Sequence, residues 1–444
     1  MLIHAPGIAF RGPCVPLDQK LFDKLAHLVD ILLSGRTYFN GGRRYSSHSL
    51  EIPAYCSSEI GIPESQIPHY SDAMRKTAFV SVAILIFASA FVSATSQLTR
   101  SPGQAAAITV SRAEFKQHIE DWSEPEGYFD TDNFISNETS YLHVIPELQR
   151  RVQPGGVYIG VGPDQNFSYI ARTKPALAII IDIRRQNMLQ HLFLKALFDL
   201  SSSRAEYLAR FFGREVPIVN PAAALPELLR AVRQTATSES LYRRDLLAVR
   251  QKLTEYGVPL SPDDLSKIEY VYSSFHLDGL DMRFSSIGRN NASQYPTFES
   301  LLLQTDRNGK MQNYLADEAT FLWMKQFEAD NRLIPIVGDF SGPHAFKAVG
   351  TFLAKNGWKV STFYTSNVEY YLFGQSSWQM YVQNVRALPM LSNAVFIRAY
   401  FSSAGPVHPQ AVPGHRSTSL VQDVAAFLAD EKAGRIRQYW DVVK

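Results

Sequence analysis

The chain has 444 residues, of which 45% are hydrophobic and 19% charged, and its formal net charge is +2. That length holds two or three domains, or one large α/β domain with insertions. So small a net charge argues against a nucleic-acid-binding surface. The two cysteines, Cys14 and Cys56, both precede Met74, so a working chain that starts beyond Ala94 has no thiol nucleophile, Cys-ligated zinc or disulfide.

Residues 1–73 carry scattered apolar runs and irregularly placed prolines without a sustained period. They read as an over-extended or disordered N-terminal segment, with the true start at Met74. Residues 74–94 have the order of an export signal. Arg75 and Lys76 follow the methionine, an uncharged apolar run extends from Ala78 to Val92, and Val92-Ser93-Ala94 offers a small-residue cleavage point. The expected location is periplasmic or extracellular. The alternatives are a membrane anchor through residues 77–94, near the lower length limit for a span, and a buried core helix. Residues 95–130 are expected to form a linker and a short helix around Arg112–Trp122.

From residue 131 to 444 the pattern is a doubly wound α/β domain, with strands alternating with helices around a mostly parallel sheet. "GVYIGVG" (156–162) is the first strand, and "ALAIIIDI" (176–183) is a β-branched run suited to burial on both faces. A short helix joins them. The long helix "RQNMLQHLFLKALFDL" follows, with apolar residues spaced by three and four. Residues 214–307 break the rhythm and read as a helical insertion. The alternation then resumes with "RLIPIVGDFSG", the helix "PHAFKAVGTFLAKNG", "WKVSTFYTSNVEYYL" and the strand "SNAVFIRAYF".

Four strand ends carry residues of the kind that hold ligands. Gly160, Gly162 and Asp164 end the first strand, where glycines admit close approach and a helix start offers free N–H groups. Asp182 lies 20 residues after Gly162 and suits two ribose hydroxyls; capping of the next helix, or pairing with Arg184 or Arg185, is its structural alternative. Asp339 and Phe340 could accept from an adenine amino group and pack on its base, or simply form a turn. Asn367 and Glu369 follow the fourth strand, facing the crevice or capping a helix. "NETSY" (137–141) is either a cofactor contact or a polar helix start. His276, Asp278 and Asp281 lack the spacing of a metal motif and read as loop residues; neither a G-x-S-x-G elbow nor a P-loop occurs.

Taken in this order, the four strand ends resemble the class I S-adenosylmethionine-dependent methyltransferases, over roughly residues 137–401. The chain beyond the signal is also similar to a family of uncharacterised exported bacterial proteins through "DNFISNETSYLHVIP", "GVGPDQNF", "PIVGDFSG" and "FYTSNVEYYL". The methyltransferase resemblance implies S-adenosylmethionine as cofactor. Gly160, Gly162, Asp164, Asp182, Asp339 and Phe340 would bind it, and Asn367 and Glu369 would orient or deprotonate an acceptor. Two departures stand out: Tyr158 occupies the place of an acid before the first loop, and Asp164 that of its third glycine. The sequence therefore supports two functions. One is a methyltransferase or related adenosyl-binding enzyme, whose acceptor the sequence does not name. The other is an exported, non-enzymatic binding or structural protein that kept the fold, since S-adenosylmethionine is made in the cytoplasm.

Overall fold

The computed structural model describes residues 108–286 and 294–444, together with the backbone of a short antiparallel strand pair, Tyr38–Asn40 with Arg43–Tyr45. The chain divides into two units, Met1–Leu98 and Thr99–Lys444. The export-like segment 74–94 lies outside the described residues. No described helix is long and apolar enough to cross a membrane.

The second unit is an α/β fold. Its first helix, α1 (Arg112–Trp122), opens with a capping box between Ser111 and Glu114, and its buried Phe115, Ile119 and Trp122 recur at helical spacing. A one-turn 3-10 segment leads into α2 (Ile145–Arg151). The first strand, β1 (Val157–Gly160), is followed by α3 (Gln165–Thr173), β2 (Leu177–Asp182) and α4 (Arg185–Leu200). Both strands are buried along their full length, as strands of a sheet covered on two faces are, and β2 carries the β-branched run Ile179–Ile181.

Among the described residues, six more α-helices lie between α4 and β3: α5 (Arg204–Phe211), α6 (Leu225–Gln234), α7 (Glu239–Tyr256), α8 (Pro262–Asp278), α9 (Phe298–Leu302) and α10 (Glu318–Ala329). Helices α7, α8 and α10 pack on α4, which itself lies on the sheet. The apolar stripe of α4 therefore understates its burial: Asn187, Gln190, His191 and Lys195, which a one-sided helix would expose, are buried as well.

The remaining elements are β3 (Leu333–Val337), α11 (Ala345–Lys355), β4 (Val360–Ser366), α12 (Val368–Leu372), α13 (Ser376–Ala387), β5 (Met390–Phe401), β6 (Ser417–Asp423), α14 (Val424–Lys432) and α15 (Trp440–Val443). The sheet order is β3-β2-β1-β4-β5-β6. All neighbours are parallel except β5 and β6, which run antiparallel. Pro335 is tolerated in β3 because that strand is an edge, where one side needs no ladder donor. The edge strand β6 has no counterpart in the strands read from the sequence. Its "STSLVQD" is short and mostly polar, and only pairing with β5 makes it a strand.

The strand order reverses at β1, between β2 on one side and β4 on the other. Crossovers leave opposite faces there, so the backbone opens a crevice beyond the carboxyl ends of these strands.

Candidate functional site

A cleft of about 480 Å³ occupies that crevice. Its walls come from all four strand ends that the sequence singles out: Gly162 after β1, Asp182 and Arg184 after β2, Asp339 and Phe340 after β3, and Ser366 and Asn367 after β4. The segment before β1 closes it with Asn137 and Glu138, and aromatic side chains including Phe129, Phe284 and Tyr364 complete it.

The first loop is built from behind. Asn166, fully buried, donates from Nδ2 to the carbonyls of Val161 at 2.9 Å and Pro163 at 2.8 Å, while its Oδ1 accepts from Tyr158 at 2.7 Å. Tyr158, standing where an acid was expected, thus supports the loop through Asn166. Burial lowers the His191 pKa to about 4, so the imidazole is neutral and its Nε2–H donates to the Gly162 carbonyl at 2.9 Å. Gly162 itself has φ +80°, and among the described residues a Cβ added there would meet nothing closer than Asn133 at 3.6 Å. The backbone is left-handed and open on its cleft side, which is the condition for a ligand to approach the chain.

Gly160 and Asp164 do not line the cleft. A Cβ on Gly160 would sit 2.1 Å from Asn166 Oδ1, so this glycine makes room for the loop's own support. Asp164 turns inward, accepts from the Tyr314 hydroxyl at 3.0 Å, and is held by burial at a pKa of about 7.

Asp182 lies in the cleft with both oxygens engaged. Oδ1 accepts from the Arg184 backbone N–H at 2.9 Å and Nε at 3.0 Å, and Oδ2 accepts from Arg184 Nη2 at 2.8 Å. The pairing alternative is therefore the one realised. A carboxylate has about four acceptor positions, so Oδ2 retains one. Arg184 is in turn fixed by donating Nη1 to the Asp132 carbonyl at 2.8 Å. Arg185 turns away to a bidentate pair with Asp264.

Asp339 Oδ1 accepts from Ser341 N and Oγ, both at 2.8 Å, and no described residue donates to Oδ2. Its loop is tied down by Glu124, whose Oε2 accepts from Asp339 N at 3.0 Å and whose Oε1 accepts from His344 N and Ala345 N, each at 2.7 Å. A carboxylate from a distant segment thus caps the N-terminus of α11, where the orphan N–H groups and the macrodipole favour an anion. Phe340 lines the cleft with one edge and otherwise packs with Phe346, Phe363 and Tyr381.

Asn367 reaches the cleft, whereas Glu369 does not. The Glu369 carboxylate is buried in a bidentate pair with Arg398, at 2.6 and 2.8 Å, and also accepts from Tyr381 at 2.8 Å. The short α12 turns its side chain under β4 and towards β5, so a residue two positions from Asn367 faces the core.

The carboxyl that does reach the cleft from this side is Glu138. It accepts from Tyr364 at 2.6 Å, from Gln165 at 2.9 Å and from Ser366 Oγ, and burial raises its pKa. All three partners are neutral, and no cation among the described residues offsets desolvation. Ser366 adopts φ +53°, an uncommon conformation for a residue with a side chain, of the kind that recurs at functional sites. The stretch "NETSY" drew attention in the sequence, but its glutamate could not be told from a helix-start residue without the contacts to β4. Among the described residues, no group of three or more His, Cys, Asp or Glu side chains is placed to hold a metal ion.

The fold and cleft define an α/β protein with an open crevice at the switch point of a mostly parallel sheet. The chain belongs to the family described as a domain of unknown function, DUF7790, which matches residues 133–259 and 285–442 and so covers every wall of the cleft except Tyr128, Phe129, Thr131 and Phe284. No curated protein matches the chain.

Proposed function

We propose that the cleft binds S-adenosylmethionine and that the protein is a methyltransferase acting on a small hydroxylated acceptor. The observation that carries the reading is the charge balance of the lining among the described residues: three carboxyls, Glu138, Asp182 and Asp339, against a single cation, Arg184, which Asp182 already engages. Such a site suits a ligand rich in hydroxyl and amino donors with a positive centre, and it disfavours a pyrophosphate. The Gly162 backbone would admit the ligand, Asp182 Oδ2 would accept from a ribose hydroxyl, and Asp339 Oδ2 from an amino group, with Phe340 beside it. When bound, the cofactor supplies an electrophilic methyl group. The chain's part is to orient the acceptor with Asn367 and to receive its hydroxyl proton on Glu138, whose raised pKa brings it nearer to the working range of a general base.

The bidentate hold of Arg184 on Asp182 favours a second reading, in which the cleft binds its ligand without chemistry. Export, suggested by residues 74–94, also favours it. Calorimetry of the full chain with S-adenosylmethionine, S-adenosylhomocysteine, ATP and NAD tests the first reading. The two sulfur compounds are expected to bind and the phosphate-bearing ones to bind more weakly; tighter binding of ATP or NAD overturns it. Binding without methyl transfer to any hydroxylated acceptor supplied would leave the second reading.

A further inference from the structure

A second cavity of about 220 Å³ adjoins the cleft, and the two share Asn137, Tyr295, Asn367 and Tyr371 in their walls. Its distinctive residue is Arg416. The guanidinium lies over the Tyr295 ring, 4.8 Å from its centre, and Nη1 donates to the Gln294 carbonyl at 2.7 Å. Its Nε is buried, and among the described residues it has no hydrogen-bond partner and no carboxylate pairs with it. Arg184, Arg185 and Arg398 each hold a carboxylate bidentately, and Arg416 has the same donors with the carboxylate missing. A desolvated donor of this kind is costly unless something accepts from it.

We infer that this cavity is the acceptor subsite and that it takes a small hydroxylated aromatic carboxylate, with the carboxylate on Arg416 and the hydroxyl towards Asn367. The guanidinium edge offers the planar, two-pronged geometry that matches a carboxylate. The walls include the rings of Tyr370, Tyr439 and Phe401, which suit a flat apolar body. The volume suits a single substituted ring, given that a cavity of about 150 Å³ holds benzene. Asn137, shared by both cavities, is the neighbour of Glu138. The hydroxyl end of such a ligand is thus directed to the side of the cleft where a base is available.

The role of acceptor rests on the proposed methyltransferase reading, whereas binding of the carboxylate does not. The test is calorimetry on the full chain without cofactor, with 4-hydroxybenzoate, its uncharged methyl ester and 4-hydroxyphenyl phosphate as probes. The carboxylate is expected to bind roughly 10- to 150-fold more tightly than the ester, the range that a single hydrogen bond to a charged group supplies. Arg416→Gln is expected to erase that difference, and Arg416→Lys to restore part of it. The ester comparison needs no substitution, so it holds even if a variant fails to fold. Equal affinity for acid and ester, or an unchanged preference in a folded Arg416→Gln chain, overturns the inference; tighter binding of the phosphate overturns the carboxylate assignment. If S-adenosylhomocysteine fails to bind while 4-hydroxybenzoate binds through Arg416, the methyltransferase reading falls and this subsite stands. The opposite pair of results removes the subsite alone.

Discussion

Glu369 is, with Gly160 and Asp164, a residue for which the sequence and the structure point to different roles, and its substitution separates them. Both Glu369 and Arg398 are about 1% exposed, and their two hydrogen bonds of 2.6 and 2.8 Å are joined by a third, from Tyr381 to the same carboxylate. Replacing Glu369 by Gln leaves the guanidinium buried without its counter-charge, with only neutral side-chain acceptors, Gln422 Oε1 and the new amide oxygen. Breaking a buried pair from one side costs about 3–5 kcal/mol, because the other charge keeps its desolvation penalty and loses its compensation. Urea unfolding of the full chain should therefore show a lower midpoint with an unchanged slope. Binding of adenosyl compounds in the cleft should change little, since the carboxylate does not reach it. The double variant Glu369→Leu/Arg398→Met should be more stable than Glu369→Gln, because neither charge is then left alone; the faces of Phe396 and Phe427, over which the guanidinium lies, would pack on the methionine. A Glu369→Gln chain of wild-type stability that has lost ligand binding or turnover would refute the argument and return Glu369 to the site.

Asp164 predicts a pH dependence. Burial raises its folded-state pKa from 3.8 to about 7, so the folded chain holds a proton that the unfolded chain releases. Its contribution is fully present below about pH 4 and is lost as the pH rises through 7. Asp164→Asn should flatten that slope and raise stability at pH 8 by up to roughly 4 kcal/mol, measured by urea unfolding across pH; an unchanged slope would remove Asp164 as its source. Gly162→Ala forces a side chain into φ +80° and should cost about 1–2 kcal/mol in stability while weakening any ligand that approaches this backbone; unaltered melting and affinity would count against the loop's role. Asp182→Ala, with one acceptor position left for a ligand, should weaken nucleoside binding by about 10- to 150-fold, the value of a single charged hydrogen bond. It should also lower the melting temperature, because Arg184 loses its carboxylate. Unchanged affinity with a lowered melting temperature would leave Asp182 as the partner of Arg184 alone.

The alternation of strands and helices was legible in the sequence because it depends on short-range patterns. The unbroken run from Leu177 to Asp182 could be little other than a doubly buried strand, and the three strand ends with Asp182, Asp339 and Asn367 follow from where those runs stop. That these ends meet in one cleft follows from the sheet order. Tertiary structure alone decided which side chains at the ends face it. Glu369 is two residues from Asn367 yet points into the core, because its partner Arg398 lies 29 positions away on the neighbouring strand. Glu138 became a cleft carboxyl only through Tyr364 and Ser366, more than 220 residues further along the chain. Asp182 changed from an open acceptor to a paired one through the rotamer of Arg184, which the carbonyls of Thr131 and Asp132 hold in place. Local periodicity sets backbone elements, because their hydrogen bonds and apolar faces repeat within a few residues. The charge state and direction of a buried polar group depend on the partners that replace its water, and those partners are brought together only when distant segments pack.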